Sequence, residues 1–149
     1  VRAVVQRVTS AAVSVEGEVV ASMGEGLLAL VGVGRDDGPD QARELARKLV
    51  HLRVFGDASG RMNRSLLDCA ATLGVVSQFT LYGDARQGRR PSFVQSAPAE
   101  RAEPLIEAVV AEARQLGAEV VSGRFRAMMD VSLVNAGPVT ILLDTDRQF

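Results

Sequence analysis

The sequence predicts an α+β fold: a single domain, residues 1–149, in which a curved, mixed or largely antiparallel, barrel-like sheet is covered by two main helices. Three observations carry this reading. β-type alternation and apolar runs fill the first 34 residues and return in the last third. Helical periodicity is confined to two segments, and hairpin signals stand where a strict strand–helix–strand alternation would otherwise be. With 149 residues, 47% of them apolar, the chain has one domain's length, and folding at that size buries roughly 68–70% of the unfolded surface.

Val4, Val5 and Val8 open an apolar strand, Val13 and Val15 flank the polar Ser14, and Glu16-Gly17 sits where a tight turn would return the chain through Val19-Val20. Gly24 and Gly26, like Gly32 and Gly34 further on, read as turn glycines; the nearest phosphate-binding fingerprints also require a helix directly after them. The unbroken run Leu27–Val31 suits a central strand covered on both faces. After turn material from Gly34 to Pro39, Asp40 is the expected N-cap of a helix with Leu45, Ala46, Leu49 and Leu52 on one face. His51 then falls on the opposite, polar side with Glu44 and Lys48 and reads as a solvated residue. Gly56–Asn63 reads as a loop and Leu73–Leu81 as a strand. A second helix spans about Ala99–Leu116, with Ala102, Leu105, Ile106, Val109, Ala113 and Leu116 on its apolar arc; Pro104 should kink it or mark its true start, and Gly117 ends it. Strands follow at Glu119–Ser122, Val131–Val134 and Val139–Leu143, the last two joined by an Asn135-Ala136-Gly137-Pro138 turn.

Seventeen basic against eighteen acidic residues leave a net charge of −1, which argues against wrapping duplex nucleic acid but is compatible with holding one end of an RNA. Cys69 is the only cysteine and His51 the only histidine, so an internal disulfide framework and nearly all zinc constellations are excluded, while Asp and Glu alone could still hold a hard cation such as magnesium. No signal peptide and no apolar run near the ~20 residues of a membrane span is present, so a cytoplasmic protein with no membrane partner is expected. A serine–histidine–acid triad would have to use the water-facing His51 and lacks its Gly-x-Ser-x-Gly elbow. Cys69, with Arg64 as its only nearby cation, reads as an inert small residue.

Three segments offer chemistry. Ser77-Gln78-Phe79-Thr80 interrupts an apolar strand with hydroxyl and amide groups that can hold an ester carbonyl or position a water, or that can equally be solvent-capped strand-edge residues. Arg86 to Phe93, with Arg89, Arg90, Pro91 and Ser92 before Phe93, fits a phosphate or nucleotide end, or else a solvated charged loop. Gly137-Pro138 either merely connects two strands or, held cis, aims consecutive carbonyls in one direction.

Together these segments resemble the D-aminoacyl-tRNA deacylase family. Val4-Val5-Gln6-Arg7-Val8, Val13-Ser14-Val15-Glu16-Gly17, Gly26-Leu27-Leu28, Ser77 to Leu81, Arg90-Pro91-Ser92-Phe93, Gly123-Arg124-Phe125 and Ser132 to Thr140 follow the family in order over almost the full chain. Tyr82-Gly83, where members often carry small residues, and the tail Asp144–Phe149 depart from it. The resemblance implies a homodimeric ester hydrolase that needs neither cofactor nor metal and acts on the 3′ end of aminoacyl-tRNA in translation quality control. Ser77, Gln78, Phe79 and Thr80 would form the catalytic strand. Gly137 and Pro138, cis and braced by Arg7, would reach into the partner's pocket and exclude L side chains, letting glycine through. Arg89, Arg90, Pro91, Ser92, Phe93, Ala97, Met128 and Met129 would surround the terminal adenosine and its phosphates. The nearest alternatives are a related deacylase clearing an L-amino acid and a nucleic-acid-binding module without hydrolysis.

Overall fold

A computed structural model describes residues 1–149. The opening alternation produces one long strand, β1 (Arg2–Val15). Its buried residues are Ala3 and Val5, then Val8, then Ala11 and Val13. The change of phase from odd to even and back matches two register shifts against β8 (Asp130–Asp144), at Gln6/Val8 and Val8/Ser10, because a residue added to one strand of a pair turns the following side chains to the other face.

The remaining elements are β2 (Glu18–Met23), β3 (Gly26–Gly32), α1 (Pro39–His51), β4 (Phe55–Gly56), β5 (Met62–Arg64), β6 (Thr72–Ser77), α2 (Ala99–Gln115) and β7 (Glu119–Ser122). The main sheet has the order β2-β1-β3-β6-β7, with β8 on β1's other edge. β1 is antiparallel to β2, β3 and β8, whereas β3, β6 and β7 run parallel. β2 and β7 come together, curling the mixed sheet almost closed. Both helices pack on each other and on the sheet around Leu27, Leu45, Leu49, Leu73 and Val109, all fully buried. His51 is exposed with Glu44 and Lys48, as its helical phase predicts, and Cys69 packs half-buried against the core. Neither helix is long and apolar enough to cross a membrane.

Several local expectations are corrected. The Gly24–Gly34 glycines include strand residues: a Cβ at Gly26 would stand 1.9 Å from the Thr72 carbonyl oxygen, so the β3–β6 contact, not a turn, excludes a side chain. The cap of α1 is Gly38, whose N–H donates to Gln41 Oε1 at 2.9 Å, with Pro39 in the first turn. Asp40 lies inside the helix and pairs with Arg43. Gly56–Asn63 is no plain loop. β4 and β5 form a small hairpin there, organised by the Asp57 carboxylate, which accepts from Ser59, Arg61 and Asn63. Those bonds, led by the Ser59 hydroxyl, hold Asp57 below its ordinary carboxylate range. α2 begins at Ala99 and continues through Pro104, which faces solvent and does not mark its start.

The largest correction concerns Leu73–Leu81. The strand stops at Ser77, and Phe79–Tyr82 form a 3-10 turn. Tyr82 explains the break: its buried phenol donates to Asp37 at 3.3 Å, and Asp37 also accepts the Gly34 N–H at 2.6 Å. The Arg2 guanidinium lies 4.4 Å from the centre of the Tyr82 ring and donates to the Leu81 carbonyl at 3.2 Å and to Asp144 at 3.3 Å. The turn is therefore tied to the start of β1, the β3–α1 connection and the end of β8.

Burial, followed by the negative charge of Asp37 and Asp144 and the bond to Asp37, pushes the Tyr82 phenol above its ordinary value, with Arg2 opposing. Folding then favours the neutral phenol. Once the unfolded chain loses this proton, above about pH 10, the native state holds more protons and stability falls as pH rises. Tyr82 is the only tyrosine and there is no tryptophan, so absorbance near 295 nm reports it cleanly. Tyrosinate should appear at higher pH in the native protein than in urea; coincident titrations would contradict this anchoring.

Candidate functional site

The parallel strands β3, β6 and β7 all point their C-terminal ends at one cleft of about 670 Å³. This is where an open parallel sheet leaves room for a ligand, since its connections diverge there. Val31 of β3 and Val33 just past it reach the cleft, Val76 to Thr80 come from β6 and the turn, and Phe125 to Met129 from the segment after β7; Ala99, Ala102 and Ile106 of α2 close one side. Arg126 is its only charged lining residue. Arg126 pairs with Glu100 at 2.8 Å, and the backbone N–H of Glu100 together with that guanidinium keeps the carboxyl below its usual range.

The strand break shapes the cleft floor. Gln78 N–H donates to the Val31 carbonyl at 2.7 Å, completing the β3–β6 ladder, and the first bond of the 3-10 turn runs from Leu81 N–H to the Gln78 carbonyl at 3.3 Å. The N–H groups of Phe79 and Thr80 precede that bond and have no partner within the turn. The Gln78 side-chain amide donates to the Thr80 hydroxyl. Phe79 and Thr80 are exposed, and the Phe79 ring meets Phe93 edge-on at 5.1 Å. The floor thus offers amide and hydroxyl donors beside an aromatic rim.

Gly137 and Pro138 stand elsewhere. β8 does not break into two strands joined by a turn; it continues through them as one element with an outward excursion. Between the pairs Gln6–Thr140 and Val8–Asn135 the chain advances five residues on β8 and two on β1, so three residues are pushed out of the ladder. The excursion is stapled at its base: Asn135 accepts the Val139 N–H at 2.7 Å and donates to the Val139 carbonyl at 3.2 Å. Arg7 Nε donates to the Ala136 carbonyl at 2.9 Å while Nη1 donates to the Val54 carbonyl at 2.6 Å. Gly137 has φ +139°, and a Cβ there would stand 2.8 Å from Val139 Cγ2, so only glycine fits without strain. The Gly137–Pro138 bond is cis, both residues are exposed, and neither lines the cleft of its own chain.

Of the residues proposed from sequence, Ser77, Gln78, Phe79, Thr80, Ala97, Met128 and Met129 converge on the cleft. Arg89, Arg90, Pro91 and Ser92 do not line it. They lie on an exposed loop tied by an Asp84–Ser92 bridge, with Phe93 reaching only the rim through Phe79. Arg89 and Arg90 make no ion pair, whereas Arg86 donates to Asp84 through both its guanidinium and its backbone and holds that carboxyl well below its usual range. Sequence reasoning missed Phe125 and Arg126 as lining residues, although Gly123-Arg124-Phe125 had stood out as a motif. It also missed the stapling role of Asn135, whose only trace in sequence is an amide two residues before the glycine.

A protein-family profile described as D-Tyr-tRNA(Tyr) deacylase matches residues 4–144. The chain is 58% identical over 144 residues to a D-aminoacyl-tRNA deacylase of Roseiflexus sp. (strain RS-1), covering 97% of this chain and 93% of that one. It is 55% identical over 148 residues to one of Anaeromyxobacter dehalogenans (strain 2CP-C), covering 99% of each. A solved structure described as a c-Myc DNA unwinding element binding protein superposes with a TM-score of 0.93 at 36% identity, over 97% of this chain and 99% of that chain. Another, described as a probable eukaryotic D-amino acid tRNA deacylase, shares the fold with a TM-score of 0.82 at 17% identity, over 95% of this chain and 97% of that chain. With a matching profile across nearly its whole length and relatives above half identity, the chain belongs to the D-Tyr-tRNA(Tyr) deacylase family.

Proposed function

We propose that this chain hydrolyses the ester joining a D-amino acid to the 3′-terminal adenosine of tRNA, and the glycyl ester by the same route, releasing free amino acid and tRNA. The observation that carries the reading is the cleft floor, which presents amide and hydroxyl donors at the end of β6 with no carboxylate or histidine among the lining side chains. An aminoacyl ester is already activated. Holding its carbonyl against the backbone donors of Phe79 and Thr80 and the side chains of Ser77 and Gln78, while a water attacks with help from the tRNA 2′-hydroxyl, supplies orientation and charge stabilisation without a side-chain base. Met128, Met129 and Ala97 offer an apolar bed for the adenine, with Phe93 at its rim and Arg89 and Arg90 towards the phosphates.

Handedness is then read by the Gly137–Pro138 excursion of a second copy. The excursion is stiffened by Arg7 and Asn135, faces outward, and is absent from its own cleft, as a part lent to a neighbour would be. Val134 and Leu142 of β8, 56% and 54% exposed, provide apolar surface on the same strand for such a dimer. One fact favours a second reading, a nucleic-acid-binding module without hydrolysis: the DNA-binding description of the 36%-identical structure. The ester assay separates the two.

D-tyrosyl-tRNA should be cleaved and L-tyrosyl-tRNA spared; inertness towards both would leave only the binding module. Thr80→Ala should keep turnover within about fivefold of the parent, the cost of one lost hydrogen bond of ~1 kcal/mol. A fall on the order of 10⁴-fold or more with binding intact would instead make Thr80 a nucleophile. Arg7→Ala removes one of the two braces of the excursion and should lower the D-over-L ratio of kcat/KM by about tenfold, since bonds from a charged donor contribute roughly 1.5–3 kcal/mol. Sedimentation at assay concentrations should give twice the monomer mass of 15.8 kDa; a fully active monomer would remove the lent excursion.

A further inference from the structure

A second hollow, of about 810 Å³, lies between α1 and the C-terminal end of β8. Arg47, Lys48, Arg53 and Arg147 line it against two carboxylates, Glu44 and Asp144. Asp144 is engaged by Arg2, its side chain only 1% exposed. Arg47 is partnered by Glu112 at 3.5 Å and Arg53 by the Asn63 carbonyl at 2.9 Å, while Lys48 and Arg147 make no ion pair or hydrogen bond through their side chains and stand exposed. Glu44 is the one lining carboxylate that no cation engages, so in a chain of net charge −1 the free side chains of the hollow keep a small positive excess, beside an exposed His51. The proposed ester site makes no use of it.

Its position gives it an occupant. Arg7 joins the Val54 carbonyl, one residue from Arg53, to the Ala136 carbonyl at the base of the Gly137–Pro138 excursion. Along β8, Leu142 at the hollow lies four residues beyond Pro138, about 13 Å at ~3.3 Å per residue. β8 thus runs directly from the excursion to the edge of the hollow. We infer that the hollow holds the sugar-phosphate backbone of the tRNA whose ester lies in the partner's cleft, so that the protomer lending the excursion also grips the RNA leaving that cleft. The inference rests on the lent excursion of the proposed function. Charge complementarity selects RNA phosphate over an acidic protein surface, because two free, long and flexible cations suit a continuous line of phosphates.

The test compares D-tyrosyl-tRNA with D-tyrosyl-adenosine, which carries the same ester without the RNA body, on the parent and on the double variant Lys48→Glu/Arg147→Glu. The parent should show a lower KM for the tRNA. The variant should raise the tRNA KM by about tenfold with kcat within about twofold, and should flatten the slope of log(kcat/KM) against log salt by about 1 to 2, the value of two lost phosphate contacts. Its hydrolysis of D-tyrosyl-adenosine should match the parent, which also establishes that it is folded. An unmoved tRNA KM and salt slope, or equal loss on both esters, would overturn the inference while leaving the deacylase reading standing. A parent that cleaves neither ester would overturn both.

Discussion

Strand β1 is the constraint on which the rest depends. It is hydrogen-bonded along one edge first to β3 and then to β2, and along almost the whole of the other to β8. A strand shared in this way must satisfy the burial pattern of three neighbours at once, and it does so by slipping phase twice near Arg7 and Thr9. The same slips push Ala136–Pro138 out of the sheet and place Arg7 where its guanidinium reaches the displaced carbonyl. An irregularity in the scaffold thereby becomes a stiff projection, because the freed backbone groups are bonded again by Arg7 and Asn135 rather than left to water.

The cleft has a complementary origin. A parallel β3–β6–β7 arrangement needs long connections at the strand ends, and those connections build the site: a 3-10 turn after β6, a segment closed by α2, and the stretch from Gly123 to Met129 after β7. The turn would be free to extend as strand were it not for Tyr82, drawn into the interior by Asp37 and covered by Arg2. Arg2 and Arg7 thus hold the turn and the excursion from one strand, the first fixing the turn and the second fixing the excursion.

No carboxylate or histidine lines the cleft, so the hydrolysis proposed there rests on donors held in place rather than on a side-chain base. Polar groups at the cleft are bonded to one another, as Gln78 is to Thr80, and the single charged lining residue is partnered by Glu100. On this view specificity for the amino acid and grip on the RNA belong to different surfaces, the first mostly apolar with one ion-paired arginine, the second open and basic.

Much of the fold is legible in sequence because periodicity is a local property. Leu45, Ala46 and Leu49 announce α1, Leu27–Val31 announce a strand buried on both faces, and Glu119–Ser122 appears as read. Ser77 to Thr80 and Gly137-Pro138 likewise stand out as polar or rigid interruptions of apolar runs. Whether such an interruption is strand, turn or bulge depends on partners far away in the chain: Asp37 for Tyr82, Val31 for Gln78, β1 for the excursion. Arg89 and Arg90 are conspicuous in sequence yet do not line the cleft, since charge composition carries no address. Residue types and their spacing determined the layers and nominated the chemistry; tertiary contacts decided which nominees meet, because a hydrogen bond between residues dozens of positions apart or more leaves no local pattern to read.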